Sequence, residues 1–312
     1  MDIAIHIALL LVLPPLLLGV INRVKAKFAG RRGPPVLQLY YDLAKLFRKG
    51  LVLSRTTTWV FVAGPMITLV AVVLAGLLVP FGPFTAPIWF AGDLILFAYL
   101  FGLARFFTTT AALDTGSAFE GMGAAREATF ACLAEPALFL AFLVLVKLAG
   151  TIPEQLAHPL ALTDMLQAPR LVSMAGLNMA AVVLVAIGLF IVLLAENCRI
   201  PVDDPNTHLE LTMIHEVMVL DHSGPLFGVV LYGAAIKLFV LCALVAHVIG
   251  PFKTGNPATD WAIFTGEMIG LAAVIGVVES VMARLQMRHV PMLLIAACLL
   301  CGLGFGVLMI PR

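Results

Sequence analysis

Eight times along this chain the sequence runs for about the length of a membrane span with almost no polar side chain: 3–22, 60–80, 93–113, 126–149, 174–195, 225–249, 264–284 and 291–310. A helix needs roughly 20 apolar residues to cross the hydrocarbon of a bilayer. No long polar gap separates these runs. Residues 1–312 are therefore expected to form a single integral membrane domain, all-α, a polytopic helix bundle of about eight transmembrane helices. Composition agrees, with 62% hydrophobic and 12% charged residues against about 25% charged in a soluble domain. Length alone would allow two soluble domains, but the recurrence of the runs argues against any soluble enzyme. The first run has no basic segment before it and no small-residue cleavage site after it, so it reads as a retained span.

Orientation is predicted from Lys and Arg. Between the first two runs lie Arg23, Lys25, Lys27, Arg31, Arg32, Lys45, Arg48, Lys49 and Arg55, and the same side gains Arg105, Arg126, Arg199, Arg284 and Arg288. The other side holds only Lys147, Arg170, Lys253 and Arg312. Fourteen against four assigns the basic side to the cytoplasm and both termini to the outside of a cytoplasmic (inner) membrane. Lys237 is left over, inside the sixth run.

The five cysteines are scattered, and Cys298 and Cys301 sit on an apolar helix, where they read as small packing residues. No cysteine spacing fits zinc or an iron–sulfur cluster. There is no dinucleotide fingerprint, phosphate-binding loop or nucleophile elbow.

The basic-side loops carry the polar information, above all 23–58, 114–127 and 196–224. Residues 36–52 place Val36, Leu37, Tyr40, Leu43, Leu46 and Phe47 at helical spacing, with cations on the opposite edge. That pattern predicts an amphipathic helix at the membrane surface or a docking surface for a partner. The loop 196–224 is acidic, with Glu196, Asp203, Asp204, Glu210, Glu216 and Asp221 beside His208, His215 and His222. It reads as a metal site, a plain solvated loop, or an acidic proton-accessible funnel beside partner subunits. His208 and His215 share a helical face, but a third ligand is not evident.

Ionisable groups inside the runs cost roughly 2.5–3.5 kcal/mol each on insertion scales and usually serve a pathway. Arg105, Glu135 and Glu279 fall in the cytoplasmic half, Lys237 near the middle, and Glu267 close to the outer surface. Carboxylates held close together raise one another's proton affinity. Static pairing, of Arg105 with Glu135 or Lys237 with Glu279, is the competing expectation. Glu135 lies about ten residues into its run, roughly 13–15 Å deep at 1.5 Å per residue, so water or Glu279 is expected between it and Glu196.

Several segments are recognisable together. AENCRIPVDDPNTHLEL at 195–211 resembles the A-E-x-x-R-x-P-F-D-x-x-E-A-E-x-E-L signature of subunit 1 of respiratory complex I, and DHSG at 221–224 resembles the E-Y-S-G that follows it. RRGPPVLQLYYDLAKLF at 31–47 resembles R-R-G-P…L-Q…D…K-L. ESVMARL at 279–285 and LDTGSAFEGMGAARE at 113–127 resemble E-N-S-M-A-R-L and L-D-T-G-S…G-A-S-R-E of a related branch, the membrane subunit of energy-converting nickel–iron hydrogenases of the formate hydrogenlyase and hydrogenase-4 type. The shortened stretch after Arg31-Arg32-Gly33 favours that branch. Asn206 and His208 stand where the signature has glutamates.

The resemblance implies a subunit of an oxidoreductase complex that carries no redox centre or metal of its own. Nickel–iron and iron–sulfur clusters would lie in partners: hydrogenase large and small subunits and an iron–sulfur subunit. Antiporter-like membrane subunits would flank it in the bilayer, and no nucleic acid is involved. The expected coupling line is Glu135, Glu196, Asp203, Glu210, Asp221 and Glu279 with Lys237 and Arg105. The expected docking residues, in and around 23–58 and 196–224, are Arg31, Arg32, Asp114, Arg126, Glu127 and Arg199. Competing readings are a quinone-site subunit of complex I, a stand-alone ion transporter and a purely structural anchor.

Overall fold

The computed structural model describes residues 2–150, 158, 160–171, 176–203, 213–250 and 253–310. Among them are ten α-helices: α1 (Asp2–Phe28), α2 (Gln38–Phe47), α3 (Trp59–Leu78), α4 (Asp93–Asp114), α5 (Ala118–Ala149), α6 (Leu162–Leu171), α7 (Gly176–Glu196), α8 (Gly224–Ile249), α9 (Pro257–Val281) and α10 (Val290–Leu308). Two 3₁₀ turns, Glu216–Val219 and Met287–His289, precede α8 and α10. Eight helices are long and apolar enough to cross a membrane, all but α2 and α6, and no strand occurs among the described residues.

Local chemistry sets the helix starts. Thr58 caps α3, its side chain accepting from the Val60 N–H at 3.3 Å. Asn256 caps α9 at 3.1 Å from the Ala258 N–H, with Pro257 in the first helical position, where a missing N–H costs nothing.

Contacts between helix ends fix the topology. Thr58 at the start of α3 donates to Asp114 at the end of α4, and His6 near the start of α1 meets the Gly76 carbonyl near the end of α3. Neighbours thus run antiparallel, and eight crossings bring both chain ends to one side. The Arg- and Lys-rich segments collect at the other, here called the basic end.

Helix α8 is the axis of the bundle. It packs against α1, α2, α3, α6, α7 and α9, and nearly its whole length from Ala235 to Val248 is buried. Peripheral α10 leaves Met292, Ile295, Leu299 and Leu303 bare, an apolar face suited to hydrocarbon.

The structure corrects three boundaries. Helix α5 begins at Ala118 and has 32 residues, so most of 114–127 is helix and Arg126 and Glu127 sit on it. Helix α1 continues to Phe28 and carries Arg23, Lys25 and Lys27. In both cases the apolar run ends where charge begins, but nothing there breaks a helix. The connection 150–173, which reads as bland, contains α6; its Leu162, Met165 and Leu166 are buried against α5 and α8.

The amphipathic segment forms α2 as expected. Leu43 is buried, while Tyr41, Lys45 and Arg48 are exposed. Its approach to α1 is close: a Cβ built on Gly19 would stand 1.8 Å from the Val36 carbonyl oxygen. The Tyr40 hydroxyl donates to the Val12 carbonyl.

Candidate functional site: a buried ion network at the basic end

Arg105 on α4 is the hub. Its guanidinium donates to Glu135 on α5 and to Glu196 at the end of α7 at 2.6 Å, and its Nε lies 3.4 Å from Glu127 on α5. Glu196 in turn takes Lys237 of α8 at 2.9 Å, whose ammonium lies 6.0 Å from the Phe101 ring centre. Five charged side chains from four helices therefore form one connected set. Fully ionised, its three carboxylates and two cations carry one excess negative charge. Buried charges of this kind are tolerated only when paired.

The end of α7 positions Glu196. Cys198 adopts a left-handed backbone, φ 47°. Its N–H bonds Ala195 O at 3.0 Å and the Arg199 N–H bonds Leu194 O at 2.8 Å, the paired bonds of a Schellman stop. The chain reverses within three residues. Glu196 meets Arg105 and Lys237, while Arg199 meets Glu279.

Arg199 joins a second set. Glu279 on α9, fully buried, accepts Lys25 at 2.8 Å and lies 3.4 Å from Arg199. Two cations and one carboxylate leave this set with an excess positive charge, opposite in sign to its neighbour. Nearby, Asp203 pairs with Arg284 at 2.9 Å and accepts the Ile214 N–H at 2.8 Å, pinning both flanks of 204–212.

A cavity of about 100 Å³ opens between α1, α3, α4, α5, α7 and α8, lined by Arg105, Glu127, Glu196, Arg199 and Lys237 with His215 and His222. A second, of about 220 Å³, lies between α1, α2 and α8 and reaches Asp42, Asp203 and Glu216. Asn197, Arg199 and His215 line both, so the two adjoin.

The structure rearranges the expected line. Glu135 and Glu196 are joined through one side chain, the Arg105 guanidinium, and Glu279 does not lie between them. Depth along a span ignores the reach of long side chains, and Arg105 spans the gap. Lys237 pairs with Glu196, not Glu279. Asp221 is exposed, and its N–H donates to Glu120 at 3.0 Å. Glu210 lies outside the described residues, as do Asp204 and His208.

Of the expected docking residues, Arg31 and Arg32 are exposed. Asp114 is occupied at the start of α3, accepting the N–H groups of Thr58 at 2.7 Å and Phe61 at 3.2 Å. Arg126 donates to the Met213 carbonyl at 2.7 Å. Glu127 and Arg199 belong to the ion sets. These four stabilise the chain itself.

Sequence reasoning missed Lys25 and Glu120. Lys25 was counted with a loop, though it stands on α1. Glu120, completely buried, lies in a stretch read as loop; its position three residues after Ser117 at a helix start was the available signal. Among the described residues no group of three or more His, Cys, Asp or Glu could hold a metal ion.

Fold and site together define a polytopic membrane protein that encloses paired ionic networks in an eight-helix bundle. The chain belongs to the NADH dehydrogenase family, whose complex I subunit 1-like family model matches residues 1–310. It is similar to formate hydrogenlyase subunit 4 of Escherichia coli (strain K12), 31% identical over 316 residues, 97% of this chain and 95% of that protein. Hydrogenase-4 component C of the same organism is 29% identical over 293 residues, 90% of this chain and 88% of that one. Among solved structures, a chain of the membrane-bound sulfane sulfur reductase, an archaeal respiratory membrane complex, shares the fold with a TM-score of 0.78 at 21% identity, covering 97% of this chain and 100% of that chain.

Proposed function

We propose that this chain is the membrane-anchoring and coupling subunit of a multi-subunit hydrogenase complex of the formate hydrogenlyase and hydrogenase-4 type. Its basic end binds a peripheral arm made of hydrogenase large and small subunits and an iron–sulfur subunit. Nickel–iron and iron–sulfur chemistry belongs to that arm. In the plane of the bilayer the chain contacts antiporter-like subunits that move ions. It resides in the cytoplasmic membrane with both termini outside, as the distribution of Lys and Arg supports.

The observation that carries this reading is the Arg105 hub. A set with one excess negative charge sits beside a set with one excess positive charge, and Glu196 and Arg199, three residues apart, belong one to each. A change of charge at the basic end alters the balance between the sets. One added proton brings the Arg105 set to neutrality. Glu135 supplies the outward connection: its side chain is 47% exposed, against 6% for Glu196. A carboxylate facing hydrocarbon costs roughly 2.5–3.5 kcal/mol. The outer face of α5, where Cys132 and Phe139 are also exposed, is better covered by a neighbouring subunit.

The test is Glu196→Gln in vesicles holding the intact complex. Assembly should survive, because the amide keeps the shape and an acceptor for Arg105. Membrane potential generated per hydrogen evolved should fall by about 10²-fold, the lower end of what a positioned proton-transfer group contributes. Wild-type potential in this variant would refute the coupling role and leave an anchor.

A further inference from the structure

We propose that His222 is the proton entry relay of the Arg105–Glu196 network, joined to it by water in the cavity and fed from the basic end past Glu120 and Asp221. The inference rests on the coupling role proposed above and assigns that role its point of entry.

His222 belongs to the turn between the 3₁₀ segment and α8, and its N–H is fixed on the Val219 carbonyl at 3.1 Å. The ring stacks on Phe61 with centroids 4.1 Å apart, which sets its orientation. Its edge lines the cavity that also reaches Arg105, Glu196 and Lys237. The residue is only 7% exposed; the Phe61 backbone engages the ring, and neither ring nitrogen bonds another side chain. A ring nitrogen left without a protein partner is satisfied by water where the site is polar and roomy enough. The cavity of about 100 Å³ accommodates about three waters at roughly 30 Å³ each, and its charged walls offer the two to four polar partners that each requires.

Glu120 is completely buried; its Oε1 accepts the Asp221 N–H at 3.0 Å, and its Oε2 lacks a hydrogen-bond partner. Asp221 itself is exposed. A buried carboxylate is thus bonded to the residue that precedes the histidine.

The groups packed around His222 come from four directions. Asp221 adjoins it in sequence and Glu120 approaches on α5. Asp114 on α4 is taken up at the start of α3. His215 and Glu216 belong to the 3₁₀ turn. Across the cavity lie Arg105, Glu127, Glu196, Arg199 and Lys237. Burial lowers the proton affinity of the ring below its ordinary value of 6.5. The ring therefore rests neutral and passes a proton on instead of storing it. One ring nitrogen gains a proton from the Glu120 side, and the other releases its own to cavity water leading toward Glu196. Protons and charge balance, and no electron moves.

The test compares His222→Phe with Glu196→Gln in vesicles holding the intact complex. Phenylalanine keeps the stack on Phe61 and removes both nitrogens. Potential generated per hydrogen evolved should fall by about 10²-fold in His222→Phe, the lower end of what proton-transfer groups contribute. The decline of coupling in the wild type at acid pH, where the ring becomes trapped as imidazolium, should vanish from the variant's profile. If His222→Phe matches the wild type in yield and profile while Glu196→Gln is uncoupled, the relay is wrong and the coupling role stands. If both variants match the wild type, the coupling role itself falls. A measurement on the unaltered complex covers failure of a variant to assemble. Deuterium exchange at the imidazole C2 position, read by mass spectrometry, should proceed for His222 at the rate of a hydrated ring titrating below 6.5. An unexchanged, dry His222 would overturn the relay.

Discussion

Arg105 can serve three carboxylates because a guanidinium presents five N–H donors in a planar fork, whereas an ammonium is a compact point charge. The side chains it holds differ in what they would lose. Glu196 is 6% exposed and Glu135 47%. Breaking a buried pair by removing one member costs about 3–5 kcal/mol, because the other is stranded. We expect Arg105→Gln to lower the abundance of folded chain in membranes and its thermal stability by an amount in that range. The loss should be relieved more by adding Glu196→Gln than by adding Glu135→Gln. In double-mutant cycles the first coupling should approach the upper end, and the second the lower end, of the roughly 0.5–3 kcal/mol found for contacting residues. Equal relief by both would show that the hub is not centred on Glu196. Arg105, Glu135 and Lys237 were legible in the sequence, since an Arg, a Lys or a Glu inside an apolar run declares itself by its cost, whereas Glu196 reads as part of the acidic loop and Glu127 as a docking residue. Their partners were not. By depth alone Lys237 lies out of reach of Glu196, yet a side chain with four methylenes closes the distance. Glu120 and His222 carried no such signal, because each stands in a stretch with ordinary polar neighbours.

At the scale of elements, apolar runs of membrane-spanning length located the eight spanning helices, and the cationic amphipathic pattern located α2. What the sequence concealed was where helices continue past the hydrocarbon. A span of 32 residues such as α5 is about 48 Å long at 1.5 Å per residue, well beyond the roughly 30 Å of hydrocarbon. Its surplus turns hold Glu120 and Glu127 against the 3₁₀ turn and Arg105. The docking of α2 on α1 was equally hidden, because a single hydrogen at Gly19 decides it. A methyl group there would stand 1.8 Å from Val36 O, an atom of backbone that cannot rotate aside. Gly19→Ala should displace α2, expose its connection to protease and lower stability by at least the roughly 1–3 kcal/mol of an overpacked core. Gly102→Ala, with nothing within 4 Å of the added carbon, should be neutral or stabilising by up to about 1 kcal/mol, the helix-propensity difference. If Gly19→Ala proves as harmless as Gly102→Ala by thermal unfolding and limited proteolysis, α2 does not sit on α1 as described.

For the whole molecule, an even number of crossings and an unequal distribution of charge combine into one statement. Eight antiparallel spans return the chain to the side where it began. The ion networks, both cavities, the exposed Arg31 and Arg32 and the surplus turns of α5 then all gather at the opposite end. By sequence, fourteen of the Lys and Arg residues belong to the segments of that end and four to those of the other, and the proposed cytoplasmic placement of the basic end rests on that imbalance. The arrangement suits the proposed coupling role, because the ion networks of the described residues lie in one layer of the bundle. Two exposed positions distinguish the sides: Ser54, between α2 and α3, and Lys253, between α8 and α9. A membrane-impermeant maleimide applied to intact cells stripped of their outer wall should label Lys253→Cys and spare Ser54→Cys. After the membrane is opened, both should react. Among the native thiols, Cys198, Cys242 and Cys301 are buried, so the background is limited to Cys132 and Cys298 and is measured on the unaltered chain. Labelling of Ser54→Cys in sealed cells would invert the molecule. The basic end would then face away from the cytoplasm, and the peripheral arm would have to bind the four-charge side, where the structure offers neither the ion networks nor the acidic entrance beside Asp221.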